Sequence, residues 1–275
     1  MMDTVTRPIL RYHGGKFRLA PWILSHFPSH KVYVEPYGGA ASVLLRKQRV
    51  QTEVYNDLDG HVVNVFRVLQ DASTAKALCR LLALTPFARA EFELSYEPAD
   101  DPVEQARRYI VRSFFGFGSK SCLSKTRNAF RAFRPGENSP AVDWSRYPDL
   151  IKNFTERLRG VVIEQRPALQ VIAAYDRPGS LLYVDPPYVA STRTLHLGQY
   201  RFEMSDADHE ELACALKSCK GMVIVSGYDS DLYRSLYAGW SRIARKSRAD
   251  MASERTEYLW ISPNTALQGN LLEAI

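Results

Sequence analysis

Leu181-Leu182-Tyr183-Val184-Asp185-Pro186-Pro187-Tyr188 is the stretch on which the fold of this chain turns. An unbroken apolar run suits a strand covered on both faces, and such strands belong to parallel sheets. This one delivers a carboxylate, a pair of prolines and an aromatic ring to its carboxyl end. The carboxylate can accept a hydrogen bond from an amino group. The proline rings fix φ and remove competing amide donors, so backbone carbonyls point outward. The tyrosine adds a face for stacking. Together these groups suit a planar, amine-bearing ligand, in the way a flipped nucleobase is read by edge hydrogen bonds and stacking. A strand that simply ends in a proline-rich turn is the plainer alternative.

Further short segments rich in β-branched or aromatic residues extend the pattern on both sides. Strands are expected at Lys31 to Glu35, Glu53 to Asp57, Val161 to Glu164, Leu181 to Asp185, Met222 to Ser226, Trp240 to Ala244 and Tyr258 to Ser262. Helical patterns lie between them, at Ala41 to Arg49, Gly60 to Leu69, Tyr147 to Leu158, Asp206 to Ser218 and Ser230 to Tyr237. The helix from Asp206 has Ser205 as its expected N-cap and acidic residues in its first turn. Alternating strands and helices specify a doubly wound α/β sheet. About a hundred residues separate the second and third strands, far more than an ordinary crossover needs. A catalytic domain over residues 1–70 and 160–275, interrupted by a mainly helical subdomain over 71–159, accounts for that gap. Arg134 to Trp144, rich in Pro, Gly, Asn and Ser, reads as a mobile loop within the insertion.

The 275 residues, 45% hydrophobic, suffice for one α/β domain plus an insertion but not for two enzymes. The cysteines at 79, 122, 214 and 219 form no Cys-x-x-Cys pair, so a reduced intracellular protein without structural metal is expected. The start lacks a basic segment followed by an apolar core, and no run of about 18 apolar residues occurs, so neither secretion nor a membrane is indicated. The formal net charge is +6, and its placement is uneven. Arg107, Arg108, Arg112, Lys120, Lys125, Arg127, Arg131 and Arg134 fall in a window without acidic residues, interleaved with Phe114, Phe115, Phe117, Phe130 and Phe133. Basic groups neutralise phosphates and aromatics wedge or stack, so the window has the composition of a nucleic-acid contact surface. A helix with a solvated basic face and a phenylalanine core stripe is the alternative.

The first strand runs into Glu35-Pro36-Tyr37-Gly38-Gly39-Ala40-Ala41. Small residues there let a ligand approach the backbone. The spacing is neither a dinucleotide fingerprint nor a phosphate-binding loop, because no G-x-G-x-x-G and no Gly-Lys-Ser/Thr is present. Twenty-two residues after Glu35 stands Asp57, at the strand end where an acid meets ribose hydroxyls. An adenosine-type ligand with no phosphate requirement fits both features. Upstream, Tyr12-His13-Gly14-Gly15-Lys16 could close over a small carboxylate-bearing ligand, although a surface turn is the simpler reading. His13, His61 and His209 have no Ser or Cys partner in sequence that would make them catalytic.

Taken in order, Tyr12 to Lys16, Glu35 to Ala40, Asn56-Asp57, a long basic insertion and Asp185 to Tyr188 resemble the Dam-type DNA adenine methyltransferases over nearly the whole chain. Tyr200 to Ser205 and Ser226-Gly227-Tyr228 look most like phage and prophage members. The resemblance implies a Rossmann-like seven-stranded methyltransferase fold, S-adenosylmethionine as methyl donor, and the 6-amino group of adenine in double-stranded DNA as acceptor. It implies action in the cytoplasm of a bacterium or phage-infected cell, without metal or membrane; whether a restriction enzyme accompanies the protein stays open. Carried over by residue, Tyr12 and Lys16 would meet the methionine end of the cofactor and Glu35, Pro36, Tyr37, Gly38, Gly39 and Ala40 would form its floor. Asp57 would bind the ribose, Ile163 or Glu164 would flank the cofactor adenine, and Asp185, Pro186, Pro187 and Tyr188 would hold the target base, Asp185 also facing the cofactor. Lys120, Ser121, Lys125, Arg127, Asn128 and Arg131 are the expected DNA contacts. The chain departs from the family in having Tyr12 where tryptophan is usual, Tyr37 where phenylalanine is usual, and Gly39-Ala40-Ala41 in place of Gly-x-Gly. Cytosine 4-amino transfer, or DNA binding by an inactive relative, are the alternatives; aspartate rather than serine at 185 favours adenine.

Overall fold

A computed structural model describes residues 5–118, 128–132, 139–193, 200–248 and 254–265. All seven expected strands form: β1 (Val32–Glu35), β2 (Thr52–Asn56), β3 (Val161–Glu164), β4 (Ser180–Val184), β5 (Met222–Gly227), β6 (Ser241–Arg248) and β7 (Glu254–Ile261). They make one sheet in the order β3-β2-β1-β4-β5-β7-β6. β1 runs parallel to β2 and β4, and β4 to β5, whereas β7 is antiparallel to β5 and β6. Every residue of β4 and β5 is buried, which is why both read as unbroken apolar runs. The chain leaves β1 for β2 on one side and returns to β4 on the other, so the sheet has a switch point at the carboxyl end of β1.

The helices, in order, are α1 (Ala20–Leu24), α2 (Gly60–Gln70), α3 (Ala72–Leu84), α4 (Arg89–Leu94), α5 (Pro102–Phe115), α6 (Pro140–Ser145), α7 (Ile151–Leu158), α8 (Ala168–Tyr175), α9 (Asp206–Lys217) and α10 (Asp231–Leu236). By packing, the chain falls into two compact units, Met1–Phe17 with Gly39–Arg46 and Asp59–Ile163, and Arg18–Gly38 with Lys47–Leu58 and Glu164–Ile275.

The second unit carries the site strands. Val34, Val54, Leu182, Val184, Val223 and Val225 of the sheet join Val171, Ile172, Leu212 and Leu216 of α8 and α9 in one core. The expected start of α9 is present as a capping box, with the Ser205 and Asp208 side chains each bonding the other's backbone N–H. Under β1 and β2, Lys47 and Glu53 form a buried ion pair with Nζ 2.8 Å from Oε1, and the ammonium lies 4.6 Å from the Tyr33 ring centre.

On α9, His209 is fully buried, its Nδ1 3.1 Å from the Tyr233 hydroxyl. Burial drives its pKa down to about 4, with Arg193 adding to the effect against Asp206 and Asp208. The ring is therefore neutral in the fold, while the unfolded chain takes up a proton below about pH 6.5. The unfolded state binds more protons between those two values, so stability is complete above pH 6.5 and falls as pH drops towards 4. Denaturation midpoints at pH 7 and pH 5 are expected to show a loss of about 2 kcal/mol from this group, a component that His209→Gln removes.

The first unit is helical. Asp59, Asp71 and Asp101 cap α2, α3 and α5 through side-chain oxygens that accept backbone N–H groups. Phe115, Trp144 and Tyr147 form its aromatic centre, with Phe115 and Trp144 edge to face at 4.7 Å and the Trp144 indole donating to the Thr85 carbonyl at 2.8 Å.

Three expectations are corrected here. Ala41 to Arg49 is a series of turns, not a helix. Ala41 sits at φ +50° and Val43, Leu44 and Leu45 are all buried, so the segment has neither a right-handed start nor a polar face. The stretch from Arg134 to Trp144 is not wholly loop, because α6 begins at Pro140 behind an N-cap at Ser139 and buries Trp144; residues 133–138 lie outside the described ones. The basic window is not all contact surface. Arg107 is buried and paired with Glu91 and Glu104 at 2.7 and 2.6 Å, and Arg108 is 2.7 Å from Glu104. Arg112 lies over the rings of Tyr96 and Tyr109.

Candidate active site

β1 ends in Glu35, a buried carboxylate whose Oε1 accepts the Tyr33 hydroxyl at 2.6 Å. The loop that follows is held by Asn56, the last residue of β2. Its side-chain amide donates to the Pro36 carbonyl at 2.8 Å and to that of Arg166 at 3.0 Å, and its oxygen accepts the Arg166 N–H at 2.9 Å. Its backbone carbonyl accepts the Gly38 N–H at 2.7 Å. One buried amide thus fixes the loops after β1 and β3 and leaves Asp57, half-buried, as the next residue. Gly38 owes its identity to this packing, since a Cβ there would fall 2.2 Å from the Tyr55 ring. Burial raises the Tyr37 phenol well above its usual range, with the carboxylates of Asp208 and Glu211 adding to the shift.

β4 delivers Asp185 half-buried, with Pro186 and Tyr188 buried beyond it. Asp185 Oδ1 accepts the Ser226 hydroxyl at 2.6 Å, and the Ser226 oxygen in turn accepts the Tyr183 hydroxyl at 3.2 Å. Tyr188 donates its hydroxyl to Glu257 of β7 at 2.7 Å and meets Tyr228 edge to face at 4.7 Å. Arg255 donates to the Tyr228 hydroxyl at 3.1 Å. Burial, followed by the nearby charge of Asp185, pushes the phenols of Tyr183 and Tyr188 far up, so both stay protonated and act as donors.

Of the residues singled out in the sequence, Glu35, Pro36, Tyr37, Gly38, Asp57 and Asp185 to Tyr188 therefore stand at the carboxyl ends of the adjacent strands β2, β1 and β4 of the second unit. Glu164, in the same unit, accepts the Tyr175 hydroxyl at 3.1 Å. Tyr12, Lys16, Gly39, Ala40, Ile163, Asn128 and Arg131 belong to the first unit. There the Gly15 N–H donates to the Tyr12 carbonyl at 3.1 Å and the buried Lys16 ammonium donates to the Gly14 carbonyl at 2.7 Å. Gly39 has φ +48°, and a Cβ on it would lie 3.0 Å from the Tyr12 ring. Ala41, where the related pattern has its second glycine, holds a left-handed backbone that costs a non-glycine residue about 1 kcal/mol. Gly116 and Phe130 bridge two antiparallel segments, from which the Phe117 ring projects 62% exposed, and the Asn128 N–H donates to the Tyr96 hydroxyl at 3.1 Å. Lys120, Ser121, Lys125 and Arg127 lie outside the described residues.

Sequence reading missed Glu257 altogether. It lies just ahead of the expected seventh strand, and the only signal was an acid at an inward position of the alternation Arg255, Glu257, Leu259. Among the described residues no group of three or more metal-ligating side chains is gathered, and no helix is long and apolar enough to cross a membrane.

Residues 12–251 match the family model for D12 class N6 adenine-specific DNA methyltransferases. The chain is similar to the DNA adenine methylase of Salmonella typhi, at 24% identity over 84% of both chains. It is also similar to the DNA adenine methylases of Haemophilus influenzae, at 25% identity over 85% of this chain and 83% of the relative, and of Vibrio cholerae, at 24% over 85% of both.

Proposed function

The chain belongs to the D12 class N6 adenine-specific DNA methyltransferases, and from that premise we propose that it takes its methyl group from S-adenosylmethionine, acts on adenines flipped out of double-stranded DNA, and holds them at Asp185 to Tyr188. The observation that carries this reading is the juxtaposition of strand ends: Glu35 at the end of β1 and Asp185 just after β4 flank the switch point of the sheet, with Asp57 just after β2 alongside. Ligands of open α/β sheets bind at such a point. The donor set suits an adenosyl ligand, with a carboxylate for a ribose diol and a glycine loop pinned by Asn56 for close backbone approach. The other proposed cofactor contacts, Tyr12, Lys16, Gly39, Ala40 and Ile163, rest on the family resemblance alone.

S-adenosylmethionine supplies a methyl group already activated by a positive sulfur. The work left to the protein is on the acceptor. The 6-amino nitrogen of adenine is a poor nucleophile, because its lone pair is delocalised into the ring. Hydrogen bonds from that amino group to the Asp185 carboxylate and the Pro186 carbonyl would favour the geometry in which the lone pair leaves conjugation, and would offset the positive charge that develops on nitrogen. Pro187 stiffens the backbone that carries that carbonyl and brings no amide N–H of its own into the pocket. A base inside a duplex cannot reach a strand end, so flipping is required, with Tyr188 as the aromatic wall of the pocket. Adenine is favoured over the cytosine alternative by the family match. The insertion, with Asn128 and Arg131 on its described ribbon, is proposed to contact the DNA, and the enzyme to act in the cytoplasm of a bacterial or phage-infected cell.

The test is transfer of labelled methyl from S-adenosylmethionine to unmethylated genomic DNA, with modified bases mapped by long-read sequencing. N6-methyladenine in one short sequence context is the expected result. Cofactor-dependent thermal stabilisation with no transfer to DNA would point to another acceptor.

A further inference from the structure

Two side chains of the proposed base pocket are held from behind by residues that touch neither base nor cofactor in the reading above. The register of β4 on β5 runs from Leu181 opposite Met222 to Val184 opposite Val225, so Ser226 falls beside Asp185 one step further on. Its hydroxyl has one proton, and that proton goes to Asp185 Oδ1 at 2.6 Å, a charge-assisted distance. The Tyr183 hydroxyl, also buried, donates into the same serine oxygen. The direction of the chain is therefore set from Tyr183 to Ser226 to Asp185, and each bond strengthens the next. On the far side, β7 brings in Glu257, a buried carboxylate that accepts the Tyr188 hydroxyl at 2.7 Å. Burying a carboxylate is costly unless it is hydrogen-bonded, and one of the bonds that Glu257 makes goes to the Tyr188 hydroxyl. The geometry is explained if the orientation of the Tyr188 ring is what Glu257 secures.

We propose that Ser226 and Glu257 are positioning residues for methyl transfer, Ser226 orienting the Asp185 carboxylate and Glu257 orienting the Tyr188 ring. The proposal rests on the assignment of Asp185 to Tyr188 as the base pocket. Ser226 fixes the plane of the carboxylate by holding one of its oxygens, so the angle at which the group meets the amino group is preset instead of being found during each encounter. Glu257 fixes the ring by its hydroxyl end, and the edge of Tyr228 limits rotation about the remaining axis.

Single-turnover methyl transfer by the full chain on unmethylated duplex DNA separates positioning from folding and from binding. Ser226→Ala is expected to slow transfer by about tenfold to a hundredfold, while the dissociation constants for DNA and S-adenosylmethionine and the melting temperature stay close to wild type. Ser226→Thr, which keeps the hydroxyl, should recover most of the rate. Glu257→Leu and Tyr188→Phe should each lower the rate by a similar factor, and the double variant should be no slower than either single one, because both delete the same hydrogen bond. Should Glu257→Leu fail to fold, Tyr188→Phe with Glu257→Gln carries that arm, the glutamine oxygen still accepting the phenol proton. Wild-type transfer by Ser226→Ala, or multiplicative losses for Glu257→Leu and Tyr188→Phe, would overturn the proposal. Asp185→Ala is the control that tells the two failures apart. If it retains transfer, the pocket assignment is what fails. If it is inactive while Ser226→Ala is unimpaired, only the positioning roles fail.

Discussion

Asp185→Ala is expected to lower methyl transfer by about a thousandfold or more, equivalent to roughly 4 kcal/mol of transition-state stabilisation, with little effect on folding. The folding expectation follows from its setting. Asp185 is half-buried at the end of β4, outside the core, and alanine leaves the Tyr183 to Ser226 bond in place. The catalytic expectation follows from the chemistry of the acceptor. Charge appears on the adenine nitrogen only as the new bond forms, so a carboxylate on that nitrogen stabilises the transition state more than the ground state and affects kcat more than KM. Asp185→Asn keeps the shape but loses the charge, and should recover only a small part of the rate. Rates are read under single-turnover conditions with DNA affinity measured separately. A variant that binds DNA normally and transfers methyl at the wild-type rate would remove Asp185 from the mechanism.

Lys47→Met is expected to cost about 3–5 kcal/mol of stability, the usual penalty for removing one partner of a buried ion pair, and to lower the melting temperature by on the order of 10 °C. Lys47 and Glu53 are almost inaccessible, with side chains 3% and 4% exposed, so the glutamate left behind cannot be rehydrated without opening the structure. Methionine replaces the aliphatic stem and isolates the loss of the ammonium, together with its contact over Tyr33. The double variant Lys47→Met, Glu53→Gln should regain much of the deficit, because the stranded charge goes with the second substitution. Equal losses for single and double variants would mean that packing, not charge, is what Lys47 contributes. Tyr33 reaches Glu35 at the mouth of the site, so cofactor affinity measured on the same variants reports whether the disturbance travels along β1.

The central strands β4 and β5 were legible because burial on both faces leaves a purely local mark, a run of apolar residues, whereas β6, mostly exposed over its described residues, was signalled only by the short segment Trp240 to Ala244. The acid and prolines at the end of β4 were legible for the same reason, since their chemistry and their position at a strand end lie within eight consecutive residues. The start of α9 was written in Ser205 and Asp208, which bond each other three residues apart. Ala41 to Arg49 misled because its hydrophobicity suits a helix while its entry at φ +50° does not, and backbone sign is not encoded in hydropathy. The basic window misled because net charge along the chain says nothing of pairing, and Glu91 lies 16 residues from the Arg107 it neutralises.

By itself, then, the sequence determined which segments become strands, the chemistry offered at the end of β4 and the family to which the chain belongs, because each is read from short motifs, or from their order along the chain, and needs no contact between distant residues. Only the tertiary structure decided what stands behind that chemistry. Ser226 is 41 residues from Asp185 and Glu257 is 69 from Tyr188; the register of β4 on β5 sets the first pair side by side, and the pairing of β7 with β5 brings Glu257 to the same end of the sheet, within reach of the segment after β4. Register is a property of the whole sheet, set by how both faces are buried.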